Sequence, residues 1–362
     1  VDLEGDGELD LVFAGSDGIF AFDKYGNTKP GWPVYFMPHE FQYYVPAIAD
    51  LNGDGNLEIV ANVHNALDQQ NYYHKIYVYD HRGNILAGWP KMKNYGQSWV
   101  GPRASSIGDI NHDGILEIVV SNNYEIFVYN IRGELLPGWP VDFRNISGAG
   151  IWAIENLPLG DINGDNYLEI IVPQEASIFA LDYQGNVLPN FPVPVYQGFG
   201  VSLADIDGDQ LSEIISGDWR NGLFAWDGNG SMVSGFPKES EAGLFGTPLI
   251  IDMDQDGDTE ILTGSVDGSV YAWDLAATYN QSLLDWSTFQ HDSYHSGLYN
   301  EQCSDGTLEN WCSVSKPKRC LDGQLIDNCQ RCGCPGTQSC AAGGECFSDT
   351  KYVPHQAVDS FQ

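Results

Sequence analysis

Asp50-Leu51-Asn52-Gly53-Asp54-Gly55-Asn56-Leu57-Glu58 is one of six copies of an acidic nonapeptide; the others begin at Asp2, Asp109, Asp161, Asp205 and Asp252. The copies are 44 to 59 residues apart, a period that signals a solenoid or a propeller. Behind each copy stands an apolar run and then a second, alternating one, at 19–23, 76–80, 126–130, 178–182, 223–227 and 270–274. Both have the composition and period of strands. Five units then close on an aromatic–proline pair: Trp32-Pro33, Trp89-Pro90, Trp139-Pro140, Phe191-Pro192 and Phe236-Pro237. A small-residue strand precedes the nonapeptide. Four short strands per unit without helical periodicity predict an all-β chain, a β-propeller of six visible four-stranded blades in a six- or seven-bladed ring. The first unit lacks its leading strand, because Val1 runs straight into the acidic loop. An upstream segment, the stretch after the last repeat or a neighbour's strand would each close the ring.

Position 1 of the nonapeptide is Asp throughout, and positions 3, 5 and 9 carry Asp, Asn or Glu. A chain turning tightly round an ion aims such alternate side chains inward, and hard oxygens at that spacing suit Ca²⁺. The predicted ligands are Asp2, Glu4, Asp6 and Asp10 in the first loop and Asp50, Asn52, Asp54 and Glu58 in the second. They are Asp109, Asn111, Asp113 and Glu117 in the third, and Asp161, Asn163, Asp165 and Glu169 in the fourth. The last two loops offer Asp205, Asp207, Asp209 and Glu213, then Asp252, Asp254, Asp256 and Glu260. About six structural calcium ions are expected, against the alternative of Asx-rich turns without metal. Position 6 is Gly in four loops, Asn166 in the fourth and Gln210 in the fifth, where a positive φ favours glycine. An EF-hand would need helices around the loop and a Glu at position 12.

These units resemble the FG-GAP or VCBS repeats of extracellular propellers, a family to which the integrin α-chain headpiece is similar. The resemblance covers residues 1–300 and implies a further calcium ligand, the carbonyl of position 7. The segment from Trp286 to Gly297 resembles the closing segment of bacterial and archaeal propellers of this kind.

All eight cysteines lie in a 44-residue stretch: Cys303, Cys312, Cys320, Cys329, Cys332, Cys334, Cys340 and Cys346. The composition divides the chain into a propeller (1–300), a cysteine-rich module (301–347) and an extended tail (348–362). An even cysteine count in so small a module predicts disulfides, an oxidising compartment and a secreted or cell-surface address. The pairing stays open, and zinc on Cys329, Cys332 and Cys334 is the alternative. The module resembles small cysteine-rich modules of archaeal surface proteins. Asn145, Asn229 and Asn280 head glycosylation sequons.

Fifty acidic against 16 basic residues give a net charge of −34, which argues against nucleic acid and anionic membranes as partners. No apolar run reaches the ~20 residues of a spanning helix. The acidic loops share one end of the ring, so ligand contacts are expected at the other, from Tyr72, Tyr73, Trp99, Arg103, Trp152 and Arg220, with Trp219 and Phe245 nearby. The expected function is surface adhesion, recognition or assembly through glycan or protein binding, with self-assembly by strand donation or tail exchange. The rival is a polysaccharide lyase, since some such lyases resemble a calcium-rich propeller. His64, His74 and His81, or His291, Asp292 and His295, form no recognisable active-site motif, so no catalytic residue is assigned.

Overall fold

The computed structural model describes residues 1–42, 45–65, 72–96, 102–147, 157–196, 198, 200–220, 222–279, 284–288, 291 and 298, together with short strand segments between 318 and 347. The chain divides into two compact units, Val1–Tyr299 and Asn300–Gln362.

The first unit is a β-propeller, a series of antiparallel sheets taken in chain order. Blade 1 holds β1 (Leu11–Gly15), β2 (Gly18–Phe22) and β3 (Val34–Tyr35). Blade 2 holds β4 (Glu40–Phe41), β5 (Ala47–Ala49), β6 (Glu58–Asn65), β7 (Tyr72–Tyr79) and β8 (Lys91–Gly96), with β4 and β5 both paired to β6. Blade 3 is β9 (Pro102–Gly108), β10 (Glu117–Asn122), β11 (Glu125–Tyr129) and β12 (Val141–Asp142). Blade 4 is β13 (Leu159–Gly160), β14 (Glu169–Pro173), β15 (Ser177–Leu181) and β16 (Val193–Pro194). Blade 5 is β17 (Val201–Ala204), β18 (Glu213–Asp218), β19 (Gly222–Trp226) and β20 (Lys238–Glu239). Blade 6 is β21 (Leu244–Ile251), β22 (Asp258–Ser265) and β23 (Val270–Thr278). Among the described residues blades 1 and 6 show three strands rather than the expected four, blade 1 without a leading strand and blade 6 without a fourth strand after β23. A one-turn helix, α1 (Phe143–Ile146), capped by Asp142, interrupts the otherwise all-β pattern.

Strand alternation sorts each central hairpin into two unlike faces. In blade 2, Ile59 pairs with Tyr79 and Ala61 with Tyr77, giving an aromatic face, while Val60 opposite Val78 gives an aliphatic one. The aromatic face packs on the preceding blade. Phe36 stacks on Tyr77 at 5.9 Å and Trp32 meets Tyr79 edge-on at 6.3 Å; Trp89 of blade 2 meets Tyr129 of blade 3 at 5.5 Å. Burial of these faces joins neighbouring blades in continuous apolar clusters.

Among its described residues the closing segment adds no outer strand. Trp286 is fully buried and exchanges two backbone hydrogen bonds of 2.9 Å with Leu203 on β17. The carbonyl of Ser287 accepts from Ile250 on β21, Asp285 abuts Gly160 on β13, and Leu298 bridges Ile107 on β9. The leading strands of four consecutive blades thus converge on one segment, which marks them as the inner strands and the segment as their shared filling.

In the second unit, β24 (Lys318–Leu321) pairs with β25 (Gln324–Asp327), and β26 (Ser339–Cys340) with β27 (Cys346–Phe347). Cys303, Cys312, Cys329, Cys332 and Cys334 lie outside the described residues.

Trp286→Ala removes the largest side chain shared by these inner strands and is expected to cost about 3–5 kcal/mol. Urea unfolding of the two proteins checks this, and a loss below 1 kcal/mol would contradict the filling role.

Candidate metal centres

In blades 2 to 6 each acidic loop joins the leading strand to the next, and in blade 1 it leads into β1. The residue at position 2 is apolar and in five loops anchors the turn, Leu3, Leu51, Ile110, Ile162 and Ile206 being buried, whereas Met253 of the sixth is exposed. The carboxylate at position 9 accepts the N–H of position 2 in every loop. Asp10 takes Leu3 at 3.1 Å, Glu58 takes Leu51 at 2.9 Å and Glu117 takes Ile110 at 3.1 Å. Glu169 takes Ile162 at 3.2 Å, Glu213 takes Ile206 at 2.7 Å and Glu260 takes Met253. Position 1 accepts from positions 5 and 6, as when Asp50 takes the N–H groups of Asp54 and Gly55. Position 5 accepts from position 7, as in Asp54 with Asn56.

The backbone is left-handed at position 6 in all six loops, Gln210 included at φ 76°. Position 4 is left-handed too, at His112 (φ 54°) and Gln255 (φ 65°) as well as at glycines. That second requirement was not read from the sequence, although glycine stands at position 4 in the other four loops.

These turns gather negative charge around a buried position 9, with the other carboxylates half-buried or exposed. Asp2, Glu4 and Asp10 converge within 4.8 Å, as do Asp205, Asp207 and Glu213, and Asp252, Asp254 and Glu260. Asp256, Asp258 and Glu260 form a further group in the sixth loop. Asp258, at position 7, is a carboxylate that the sequence reading passed over, although the unbroken Asp alternation from Asp252 displays it. In the second and fourth loops Asn52 and Asn163 donate to Glu58 and Glu169 at 3.0 Å each. Burial, with nearby aspartates adding to it, pushes Glu58 up to about 7, Glu117 to about 8, Glu169 to about 9 and Glu213 to about 8. Asp252 Oδ1 and Asp258 Oδ1 are buried without a hydrogen-bond partner. Buried carboxylates with orphaned oxygens fit a divalent cation, which would hold them ionised. The first loop differs: Lys29 Nζ reaches Asp10 at 2.7 Å and also contacts Glu4, so an internal cation already meets two predicted ligands.

At the opposite end, Tyr72 and Tyr73 are half-buried. The Tyr73 hydroxyl donates to buried Glu40, which also accepts from Lys75 and Tyr77. Arg220 is exposed and lies 3.7 Å over the Tyr196 ring. Arg103 falls on β9, while Trp99 and Trp152 lie outside the described residues. His74 is buried against Asn62, and burial takes its imidazole down to about 3.

The FG-GAP-like repeat family model matches residues 2–61 and 109–172. These two stretches hold FG-GAP-like repeats, and the blades define a β-propeller. No curated protein sequence matches the chain. Among solved structures, the V. cholerae biofilm matrix protein Bap1 is 15% identical with a TM-score of 0.45, over 85% of this chain and 81% of that one. BBS1N, crystallised in complex with ARL6DN, is 11% identical with a TM-score of 0.50, over 79% of each chain. The latter likeness is one of fold.

Raised carboxyls mean that the ion-free fold holds protons more tightly than the unfolded chain. Its stability therefore falls as pH rises from the unfolded carboxyl value of about 4.3 towards 8. With a chelator, Tm should drop between pH 5 and pH 8; with excess calcium the drop should vanish, so the calcium-induced gain is larger at pH 8. An equal gain at both values would contradict the assignment. Gln210→Gly relieves a left-handed side chain and should stabilise by about 0.5–1 kcal/mol in denaturant titrations.

Proposed function

We propose that the chain is an extracellular propeller, stiffened by about six structural calcium ions, that recognises a glycan or protein partner at a cell surface in adhesion or surface assembly. The observation that carries this reading is an exposed aromatic patch at the end of the ring away from the acidic loops. Trp219, between β18 and β19, and Phe245, on β21, meet edge-on with centroids 6.1 Å apart. They are 39% and 49% exposed. Arg220 adjoins them, its guanidinium laid on Tyr196. Two neighbouring blades fix this patch, so its rings are presented without further ordering. Aromatics with arginine are the residues that anchor recognition surfaces most strongly.

The extracellular part of the reading has its own support. β26 and β27 set Cys340 opposite Cys346, a separation that a disulfide spans. Asn145 and Asn229 are exposed, as glycan acceptors must be; Asn280 lies outside the described residues. The acidic surface disfavours anionic partners except through bound cations.

Glycan and cell-surface protein arrays probed with the calcium-loaded chain should give a binder whose affinity falls at least tenfold in Trp219→Ala and Phe245→Ala, with Tm unchanged. Unaltered binding in both variants would sink the patch. Chelator-sensitive release of unsaturated products from acidic polysaccharides would replace this reading with a lyase.

A further inference from the structure

Around the first acidic loop three positions depart together from the pattern of the later blades. Position 9 is Asp10 where the other five loops carry Glu, and position 3 is Glu4 where they carry Asn or Asp. The third departure lies downstream, in the turn after β2. The N–H of Lys29 donates to the carbonyl of Ala21 at 3.0 Å, as Leu86 donates to Val78, Leu136 to Val128, Leu188 to Ala180 and Val233 to Ala225. That shared bond makes the five residues structural counterparts. In blades 2 to 5 the counterpart is apolar and packs on the core; in blade 1 alone it carries a charge.

The Lys29 side chain keeps the inward course of those apolar residues, being only 10% exposed, and its ammonium ends among the loop carboxylates. Nζ lies 2.7 Å from Asp10 Oδ1 and also contacts Glu4. It therefore joins positions 3 and 9, the pair that Asn52 and Glu58, or Asn163 and Glu169, join through a neutral amide. The shorter acid at position 9 leaves room for the ammonium, and the longer acid at position 3 reaches it. Neither oxygen of Asp10 is left over, since Oδ2 takes the N–H of Leu3. Asp2 is engaged as well, its two oxygens accepting from Asp6 and Gly7 at 3.0 and 2.8 Å. The sixth loop is the contrast, with Asp252 Oδ1 and Asp258 Oδ1 buried and unpaired.

We propose that Lys29 closes the first loop in place of a metal ion: its ammonium bridges Glu4 and Asp10, so this loop is neutralised and ordered without calcium and stays empty at calcium concentrations that fill the other five. The inference rests on the reading of those five loops as calcium sites. The first loop does not fit a divalent ion, which beside Asp10 would meet a buried like charge at contact range, a repulsion that weakens binding by roughly a hundredfold or more. Blade 1 thus keeps a fixed loop under conditions in which its successors lose theirs.

Native mass spectrometry across a calcium titration gives the ion count, and hydrogen exchange on the same samples gives the location. The parent chain should fill five loops well before the sixth. Lys29→Leu, which installs the residue of blades 2 to 4, and Lys29→Met should fill all six over one range, the last midpoint falling by roughly a hundredfold. In the parent, residues 50–58 and 161–169 should gain protection on calcium addition while residues 2–10 do not change. Residues 2–10 should join them in Lys29→Leu, and Lys29→Arg, which keeps a cation, should behave like the parent. Parent residues 2–10 that gain protection over the same calcium range as the other loops would overturn the proposal, and that measurement needs no variant. So would an uptake that Lys29→Leu and Lys29→Met leave unchanged. Calcium-independent exchange in every loop would instead remove the calcium reading of the other five, and this proposal with it.

Discussion

A carboxylate taken out of water at the ninth position of each loop sets the terms for the whole ring. The N–H of position 2 donates to it in every loop, and in the loops of Glu58, Glu117, Glu169 and Glu213 the aspartates around it raise the cost of ionisation. Burying an ion so poorly matched is expensive unless it is protonated or meets a cation. In blades 2 to 5 a glutamate at this position begins the strand after the loop, and the residue at position 2 is buried in the apolar layer beneath. Charge neutralisation at the loop and packing of the blade are therefore one event, repeated from blade to blade.

The repeat made most of the fold legible. Apolar alternation on both sides of the nonapeptide located the paired strands of each blade, because a one-residue slip would expose a buried face. The left-handed position 6 followed from its glycines. Position 4 was less visible, because His112 and Gln255 adopt a conformation their side chains do not advertise. Lys29 was not readable as a partner of Asp10, since its approach depends on a turn 19 residues downstream.

The segment after blade 6 shows where local pattern stops being informative. Nothing in Trp286 or Leu298 distinguishes an outer strand from a filling of the ring. Their positions depend on Leu203, Gly160, Ile250 and Ile107 arriving together from four blades. The aromatic patch of Trp219 and Phe245 is likewise a product of blade adjacency, although the sequence already placed both residues at the end away from the acidic loops.

Native mass spectrometry of the purified chain, titrated with calcium after chelation, tests the central claim most directly. The account predicts stepwise uptake approaching one ion per acidic loop, with the first loop filling last because Lys29 occupies its carboxylates. A chain that retains no divalent ion at millimolar calcium while remaining folded would contradict it.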